Sequence, residues 1–270
     1  MKKKILIYTL LIIASLTFLY PFYWMVVASL APESEIGNLT FLPSSFSFNS
    51  YTQMFSKIPI GKAFFNSMIT ATITTAGVIT FCSMVGYALA KMEFRGRQAI
   101  FYIIIFTMTL PFQITLIPNY ITMVKLGLVD TYAALIIPFM LNAFAILMFR
   151  QSFMTIPQSL IDAARIDGCS ELRIIFQILF PNIIPTIVTV GILSFMNSWN
   201  EVLWPLIVIR DENLMTMPQM VTLFSVGGRS ESQLGVKLAA AVVLALPIMI
   251  AYGFFQKYFI QSMASSGIKE

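Results

Sequence analysis

Six stretches of this chain are long and apolar enough to cross a lipid bilayer, and no other feature constrains its fold so tightly. A hydrocarbon core of about 30 Å needs about 20 largely apolar residues in a helix. Ile5–Val27, Phe65–Ala90, Ala99–Ile117, Thr131–Phe149, Ile183–Val208 and Val236–Gln256 meet that requirement. Composition agrees: 58% of the 270 residues are hydrophobic and 11% are charged, where a soluble domain would carry roughly a quarter charged residues. The expectation is an all-α, polytopic membrane protein with six transmembrane helices. The first run follows "MKKK", as a signal peptide would, but it is too long for an apolar signal segment. It also ends in an interfacial belt of Tyr20, Phe22, Tyr23 and Trp24. It therefore reads as a retained helix. On this division residues 1–64 form an N-terminal helix and external loop, 65–256 a core of five helices, and 257–270 a tail.

The net charge of +5 does not point to nucleic acid, because the basic residues sit at the ends of apolar runs and form no patch. Lys2, Lys3 and Lys4 precede the first run, and Lys91, Arg95 and Arg97 follow the second. Arg150, Arg165 and Arg173 lie between the fourth and fifth, and Lys257 and Lys269 follow the sixth. The other side holds Lys57, Lys62, Lys125, Arg210, Arg229 and Lys237, spread over longer loops. The excess of lysine and arginine marks the cytoplasmic side. Both termini, and the segment 150–181, are thus expected in the cytoplasm, with Ser45 and Ser230 outside. The chain has no histidine, which removes the usual proton shuttle and the commonest metal ligand. Cys82 lies in an apolar run and Cys169 in a cytoplasmic loop, an arrangement that argues against a structural disulfide.

Within the second run Thr72, Ala76, Thr80 and Ser83 recur at helical spacing, a small-residue face on which another helix backbone could approach closely. Pro111, Pro118 and Pro247 are expected to kink or loosen their helices.

The segment between the fourth and fifth runs breaks the apolar pattern with "IDAARIDG", Ile161 to Gly168. Pro157 suits a helix start and Gly168 the left-handed position that ends one. Between them Leu160, Ile161, Ala164 and Ile166 can share an apolar face while Asp162, Arg165 and Asp167 stay polar. A second helix is expected from Ser170 towards Phe180. A helix lying on anionic lipid would carry a basic polar face. This one is nearly balanced in charge, and Ala163 and Ala164 favour close approach to a soluble protein partner.

These residues resemble a known family. Asp162-Ala163-Ala164, then Gly168, Ile178 and Pro181, are similar to the "EAA" loop of permeases in bacterial ABC importers. "IPNYITMVKLGLVDTYAALIIP" (117–138), "FRQSFMTIP" (149–157), "WNEVLWPL" (199–206), "MTMP" (215–218) and "FQKYFIQSMASSGIKE" (255–270) narrow the resemblance to the maltose-type carbohydrate uptake permeases. It implies a type I importer permease fold in the inner membrane. The segment 150–181 would carry a coupling helix seated in a groove of the ATPase, with Asp162, Ala163, Ala164, Asp167, Gly168 and Pro181 as the coupling residues. Partners would be a second permease (a different chain), two ATPase copies and an extracytoplasmic solute-binding protein, with the lipid bilayer around them. ATP and Mg would be used by the ATPase, not by this chain. The cargo would be a carbohydrate, or a related polyol or phosphate ester. Three positions depart from the pattern: Asp162 replaces glutamate, Phe180 replaces leucine and Glu270 replaces glycine.

In the fifth run Ser194, Asn197, Ser198 and Glu201 recur at spacings of three and four and form one polar stripe. Polar groups at membrane depth are costly unless they meet other polar groups or a water-filled cavity. Trp199 and Asn200 lie beside the stripe and Trp204 one turn outward, a mixture of hydrogen-bonding groups and flat apolar surface that suits a sugar path. The competing reading is interhelical hydrogen bonding to the second permease, with the tryptophans as interface anchors. Gln113, Asn119 and Asn142 are further path candidates on weaker grounds.

Other functions fit less well. An ion-coupled secondary transporter would show several ionisable residues within spans and detectable repeats, whereas Glu201 is the one acidic residue within the six runs. An importer permease for a non-sugar solute is the nearer alternative. No metal motif, nucleophile-base pair or GxxxxGK[ST] loop is present, so catalytic residues are not expected and ATP hydrolysis falls to another chain.

Overall fold

The computed structural model of the protein describes residues 2–37, 41–226 and 233–267. Arg229 and Ser230, expected on the external side, and Lys269 and Glu270 of the tail lie outside the described residues. Among the described residues the chain is helical and holds no strand. In order the helices are α1 (Lys2–Ser29), α2 (Asn49–Lys57), α3 (Ile60–Gly77), α4 (Ser83–Lys91), α5 (Arg97–Thr107), α6 (Phe112–Lys125) and α7 (Tyr132–Ile136). They continue with α8 (Ala143–Met154), α9 (Gln158–Ile166), α10 (Glu171–Arg173), α11 (Ile184–Trp199), α12 (Leu203–Val208), α13 (Met217–Val226) and α14 (Leu234–Gly267). The chain divides into two compact units, the residues up to Phe64 with Met217–Pro247, and Phe65–Thr216 with the chain from Ile248.

Among the described residues four helical runs are long and apolar enough to cross a membrane: Lys2–Ser29, Ile60–Lys91, Glu171–Trp199 and Leu234–Phe254. The number rises to six if two bent pairs, Arg97–Thr107 with Phe112–Lys125 and Tyr132–Phe139 with Ala143–Met154, each count as one span. The third and fourth apolar runs are thus not straight helices. α5 and α6 meet at 104°, where Pro111 takes extended backbone (ψ 141°) ahead of α6. Proline has no N–H to donate and disfavours helical geometry in the residue before it, so α5 stops short of Leu110. Pro118 and Pro247, in contrast, lie inside α6 and α14 without ending them. The second bend, 46°, falls between α7 with its 3-10 extension to Phe139 and α8. There Asn142 is extended and its side chain accepts the Ala145 N–H, capping α8.

The fifth run begins earlier than its apolar text. Helical backbone extends from Glu171 to Trp199 through a π turn at Ile174–Leu179 and a 3-10 turn at Phe180–Ile183. Pro181 and Pro185 account for the irregularity: neither can bond to the carbonyl one turn back, and a wider then a tighter turn absorbs the mismatch. The Asn182 amide provides a replacement donor to the Ile178 carbonyl at 2.7 Å. At the far end the helix expected to reach Val208 stops at Trp199, and α12 starts anew at Leu203.

In the unit from Phe65 to Thr216, α4 lies directly against α8, and Gly86 allows it. A Cβ at Gly86 would stand 2.8 Å from Phe149 Cβ and 3.0 Å from the Arg150 nitrogen. The small-residue face expected at Thr72, Ala76, Thr80 and Ser83 is not the packed one: Thr72 and Ala76 are exposed and Ser83 alone is buried. Ala71, Thr74, Val78 and Cys82 are buried instead. A π turn at Val78–Cys82 rotates the face beyond it, because it accommodates one more residue than an α turn. Tyr87, Phe149, Phe153, Ile161, Ile174 and Leu179 complete this core. Phe180 stacks on Phe149 with ring centroids 6.4 Å apart and meets Phe176 edge-on at 4.9 Å.

In the other unit Trp24, Ala28, Ala31, Ile36 and Leu238 pack together. The Glu33 carboxylate accepts the backbone N–H groups of Leu234 and Gly235 at the start of α14, where a negative group complements the helix dipole. Gly235 leaves room for this contact, since a Cβ there would lie 2.5 Å from Ser50 Oγ and 2.9 Å from Glu33 Oε2.

Candidate functional site

The polar stripe of the fifth run faces a cavity of about 480 Å³ within the unit from Phe65 to Thr216. Ser194, Asn197, Ser198 and Glu201 line it, and so do Gln113 at the start of α6 and Asn142 at the cap of α8. Both helix breaks therefore serve the same space: each turns a side-chain amide into the cavity. Asn119 and Asn200 are not among the lining residues, and Asn200 is exposed at the end of α11. Trp199 is fully buried beside Phe195, the rings stacked at 5.9 Å, so it supports the helix instead of facing the cavity.

Several lining residues escaped the sequence reading. Thr70 and Thr74 project from α3 and Thr216 from the far end of the unit. All three are buried, and their hydroxyls have no hydrogen-bond partner within the described residues. A buried hydroxyl left without a partner costs about 1–3 kcal/mol, which makes this wall one that binds polar groups favourably. Phe112 and Phe139 add flat apolar surface around Trp204, their centroids 6.1 and 6.2 Å from its ring and both edge-on. Trp204 is itself fixed by a 2.8 Å bond from Nε1 to the Ala134 carbonyl. Glu201 has a local task as well: Oε1 accepts the Trp204 N–H at 3.0 Å, capping α12.

The wall is braced from outside. Asn66 donates to the Asn213 and Met215 carbonyls at 2.9 and 3.0 Å and accepts from the Tyr132 hydroxyl at 2.6 Å, which holds Thr216 beside α3. Asp130, at φ 58°, accepts the N–H groups of Arg210 and Asp211 through one carboxylate oxygen. Those bonds, led by the one from Arg210, hold its carboxyl below the usual carboxylate range.

The segment expected in the cytoplasm is built on α9. Ile161 and Ala164 are buried in the core beside Phe153 and Ile174, while Asp162, Ala163, Arg165 and Asp167 are exposed. The apolar face is narrower than expected: Leu160 is 39% and Ile166 87% exposed, because Ile166 lies two residues past Ala164 and so points away from it. Pro157 precedes the helix by one residue. Gly168, at φ +77°, ends it. Gly168 N–H bonds to the Arg165 carbonyl and Cys169 N–H to the Ala164 carbonyl, both at 3.0 Å, the paired pattern of a Schellman cap. Pro181 is separate from this group, exposed in the 3-10 turn ahead of α11.

A polar cluster joins this segment to the core. Glu171 accepts from Arg165 Nε at 2.9 Å and from the Tyr87 hydroxyl, and the hydrogen bond to Glu171 raises the Arg165 pKa above its ordinary value. Other basic residues of this side close helix ends: Lys91 Nζ donates to the Ile156 carbonyl, and Arg150 Nε donates to the Leu89 carbonyl at 3.3 Å. The Arg150 guanidinium also covers the Phe101 ring at 3.9 Å.

Known proteins share this arrangement. Residues 82–265 match the family of binding-protein-dependent transport system inner membrane components. The arabinooligosaccharides transport system permease protein AraQ of Bacillus subtilis (strain 168) is 38% identical over 261 residues, covering 94% of this chain and 92% of that protein. The lactose transport system permease protein LacG of Rhizobium radiobacter is 30% identical over 261 residues, covering 96% and 94%. A crystal structure of a bacterial ABC transporter involved in the import of the acidic polysaccharide alginate has a chain that superimposes with a TM-score of 0.81 at 27% identity, over 95% of this chain and 96% of that one. On the family match and the length of these likenesses, the chain belongs to the binding-protein-dependent transport system inner membrane components.

Proposed function

We propose that this chain is the permease subunit of a carbohydrate-importing ABC transporter and forms half of its translocation path. The observation that carries the reading is the cavity, where hydroxyl and amide groups from α3, α6, α8 and α11 converge on the Phe112–Phe139–Trp204 cluster. Sugars need that combination of hydrogen-bonding groups and flat apolar faces. The likeness to relatives named for arabinooligosaccharides and lactose supports it. In this reading each bent pair is one span, giving six spans with both termini in the cytoplasm, as the distribution of lysine and arginine requires.

The exposed side of α9, with Asp162, Ala163, Arg165 and Asp167, is the face that docks on the ATPase. Its buried side, Ile161 and Ala164, transmits the push to α8 and α11 through the core. ATP and Mg are then handled by two copies of that ATPase. A second permease completes the pore, and an external binding protein delivers the solute.

Reconstitution in proteoliposomes tests this directly. The chain, its permease partner, the ATPase and the binding protein encoded beside it should together give ATP-driven uptake of the saccharide that the binding protein retains, and omission of this chain should abolish it. Uptake that persists without the chain contradicts the assignment. Impermeant labelling of a cysteine placed at Ser45, but not of one at Arg165, is the outcome expected of the topology. The reverse pattern would overturn it.

A further inference from the structure

Family likeness alone does not choose between neutral and acidic saccharides, but the cavity does. Its lining contains Thr70, Thr74, Gln113, Asn142, Ser194, Asn197, Ser198 and Thr216 as uncharged polar groups, and Glu201 as the one ionisable side chain among the described lining residues. No lysine or arginine is among those described lining residues. We infer that Glu201 is a specificity residue that makes this path select neutral saccharides and reject anionic ones such as uronates and sugar phosphates. The inference rests on the reading of this cavity as the solute path.

The argument is electrostatic. A cavity of about 480 Å³ keeps any solute charge within about one screening length, roughly 10 Å, of the Glu201 carboxylate. The walls are protein, with Phe112, Phe139 and Trp204 among them, so the field is screened less than at an open surface. A solute anion entering this space loses hydration, gains no cationic partner from the lining and meets a like charge. A neutral saccharide loses nothing comparable, and its hydroxyls find the buried threonine hydroxyls that have no other partner. Glu201 is also held in place: Oε1 is anchored to the Trp204 N–H at 3.0 Å, so the carboxylate cannot swing away from an incoming anion without uncapping α12.

That anchor makes the test clean. Glu201→Gln keeps a side-chain oxygen for the Trp204 N–H while removing the charge, and Asn197→Asp adds a second charge on the same wall. The assembled transporter in lipid nanodiscs, without binding protein, is equilibrated by dialysis with labelled maltotriose, a neutral probe, and with labelled trigalacturonate, an anionic one. The wild-type complex should bind maltotriose at least about tenfold more tightly. Glu201→Gln should narrow that ratio mainly by strengthening trigalacturonate binding, and Asn197→Asp should widen it. The thermal midpoint of each variant complex, close to wild type, certifies that it is assembled. Equal binding of the two probes, or a ratio that neither variant moves, overturns the charge selection and leaves the cavity as a solute path. Binding of neither probe overturns the path reading, and the inference with it.

Discussion

Arg165 and Glu171 are joined across the Gly168 turn by two hydrogen bonds, Nε to Oε1 at 2.9 Å and Nη2 to Oε2 at 3.3 Å. The forked geometry ties α9 to the helical run Glu171–Trp199, and Tyr87 of α4 shares the same carboxylate. Both charged side chains are partly exposed, so water and salt screen the pair. Glu171→Ala is therefore expected to lower the stability of the complex by only about 1 kcal/mol. Its effect on stimulation of ATPase activity by loaded binding protein should be larger than on basal hydrolysis, because α9 loses its lateral tie. Parallel thermal melts and ATPase assays separate the two, and equal losses in basal and stimulated rates would speak against a role in transmission.

Gly168 offers a sharper probe of the same segment. A Cβ there would meet nothing within 4 Å, but the residue sits at φ +77°. Within this chain a substitution therefore brings backbone strain, about 1–2 kcal/mol for an ordinary residue, and no crowding. Gly168→Val should reduce stimulated ATPase activity, whereas Gly168→Asn, which tolerates the left-handed region, should retain most of it. Equal loss in both variants would contradict the strain argument.

Gly86 poses the opposite case, close contact without special backbone. Gly86→Ala puts a Cβ 2.8 Å from Phe149 Cβ and 3.0 Å from the Arg150 nitrogen, so α4 and α8 must separate. Overpacking of this kind costs about 1–3 kcal/mol. The melting temperature of the purified complex should fall, and Phe149→Leu should not restore it, because leucine keeps the clashing Cβ and the Arg150 backbone contact remains.

Asp130 supplies the pH dependence. Its carboxyl is held below the usual value of about 3.9 by the N–H groups of Arg210 and Asp211. A depressed carboxyl contributes stability that is present above the unfolded value and is lost as pH falls through the lower, folded one. Exchange of the Arg210 and Asp211 amide protons, corrected for intrinsic rates, should become less protected as the pH is lowered through that window. In Asp130→Asn, which also tolerates φ 58°, the protection should not vary with pH. A pH-independent wild type would show that these bonds do not hold the loop.

The helical, membrane-spanning character and the polar stripe could be read from sequence because each is a local pattern. Apolar length marks the candidate spans, and the spacing of Ser194, Asn197, Ser198 and Glu201 sets the face. Gly168 was equally legible, since a glycine after a short amphipathic helix has a conformational reason to be there. What stayed hidden depends on partners distant in sequence. Thr216 lines the cavity only because Asn66 holds its loop to α3, and Glu171 has meaning only beside Tyr87. The small-residue face was misread at Thr72 and Ala76 because Ala71 and Thr74 offer small residues on the neighbouring face and only packing chooses between the two. Beyond them the π turn at Val78–Cys82 changes the register and buries Ser83, which a pattern with constant helical period cannot reveal. The break at Leu110–Pro111 was anticipated as a kink, but its 104° angle depends on packing around it.

The central claim is that the cavity of the fifth span handles cargo and does not merely hold helices together. Uptake into proteoliposomes by the Asn197→Ala, Ser198→Ala transporter, measured beside the melting temperature of the same preparation, separates these roles. The account predicts uptake reduced severalfold, with assembly and basal ATP hydrolysis close to wild type. Unchanged uptake in a complex destabilised by about 0.6–2 kcal/mol for each lost bond would contradict it.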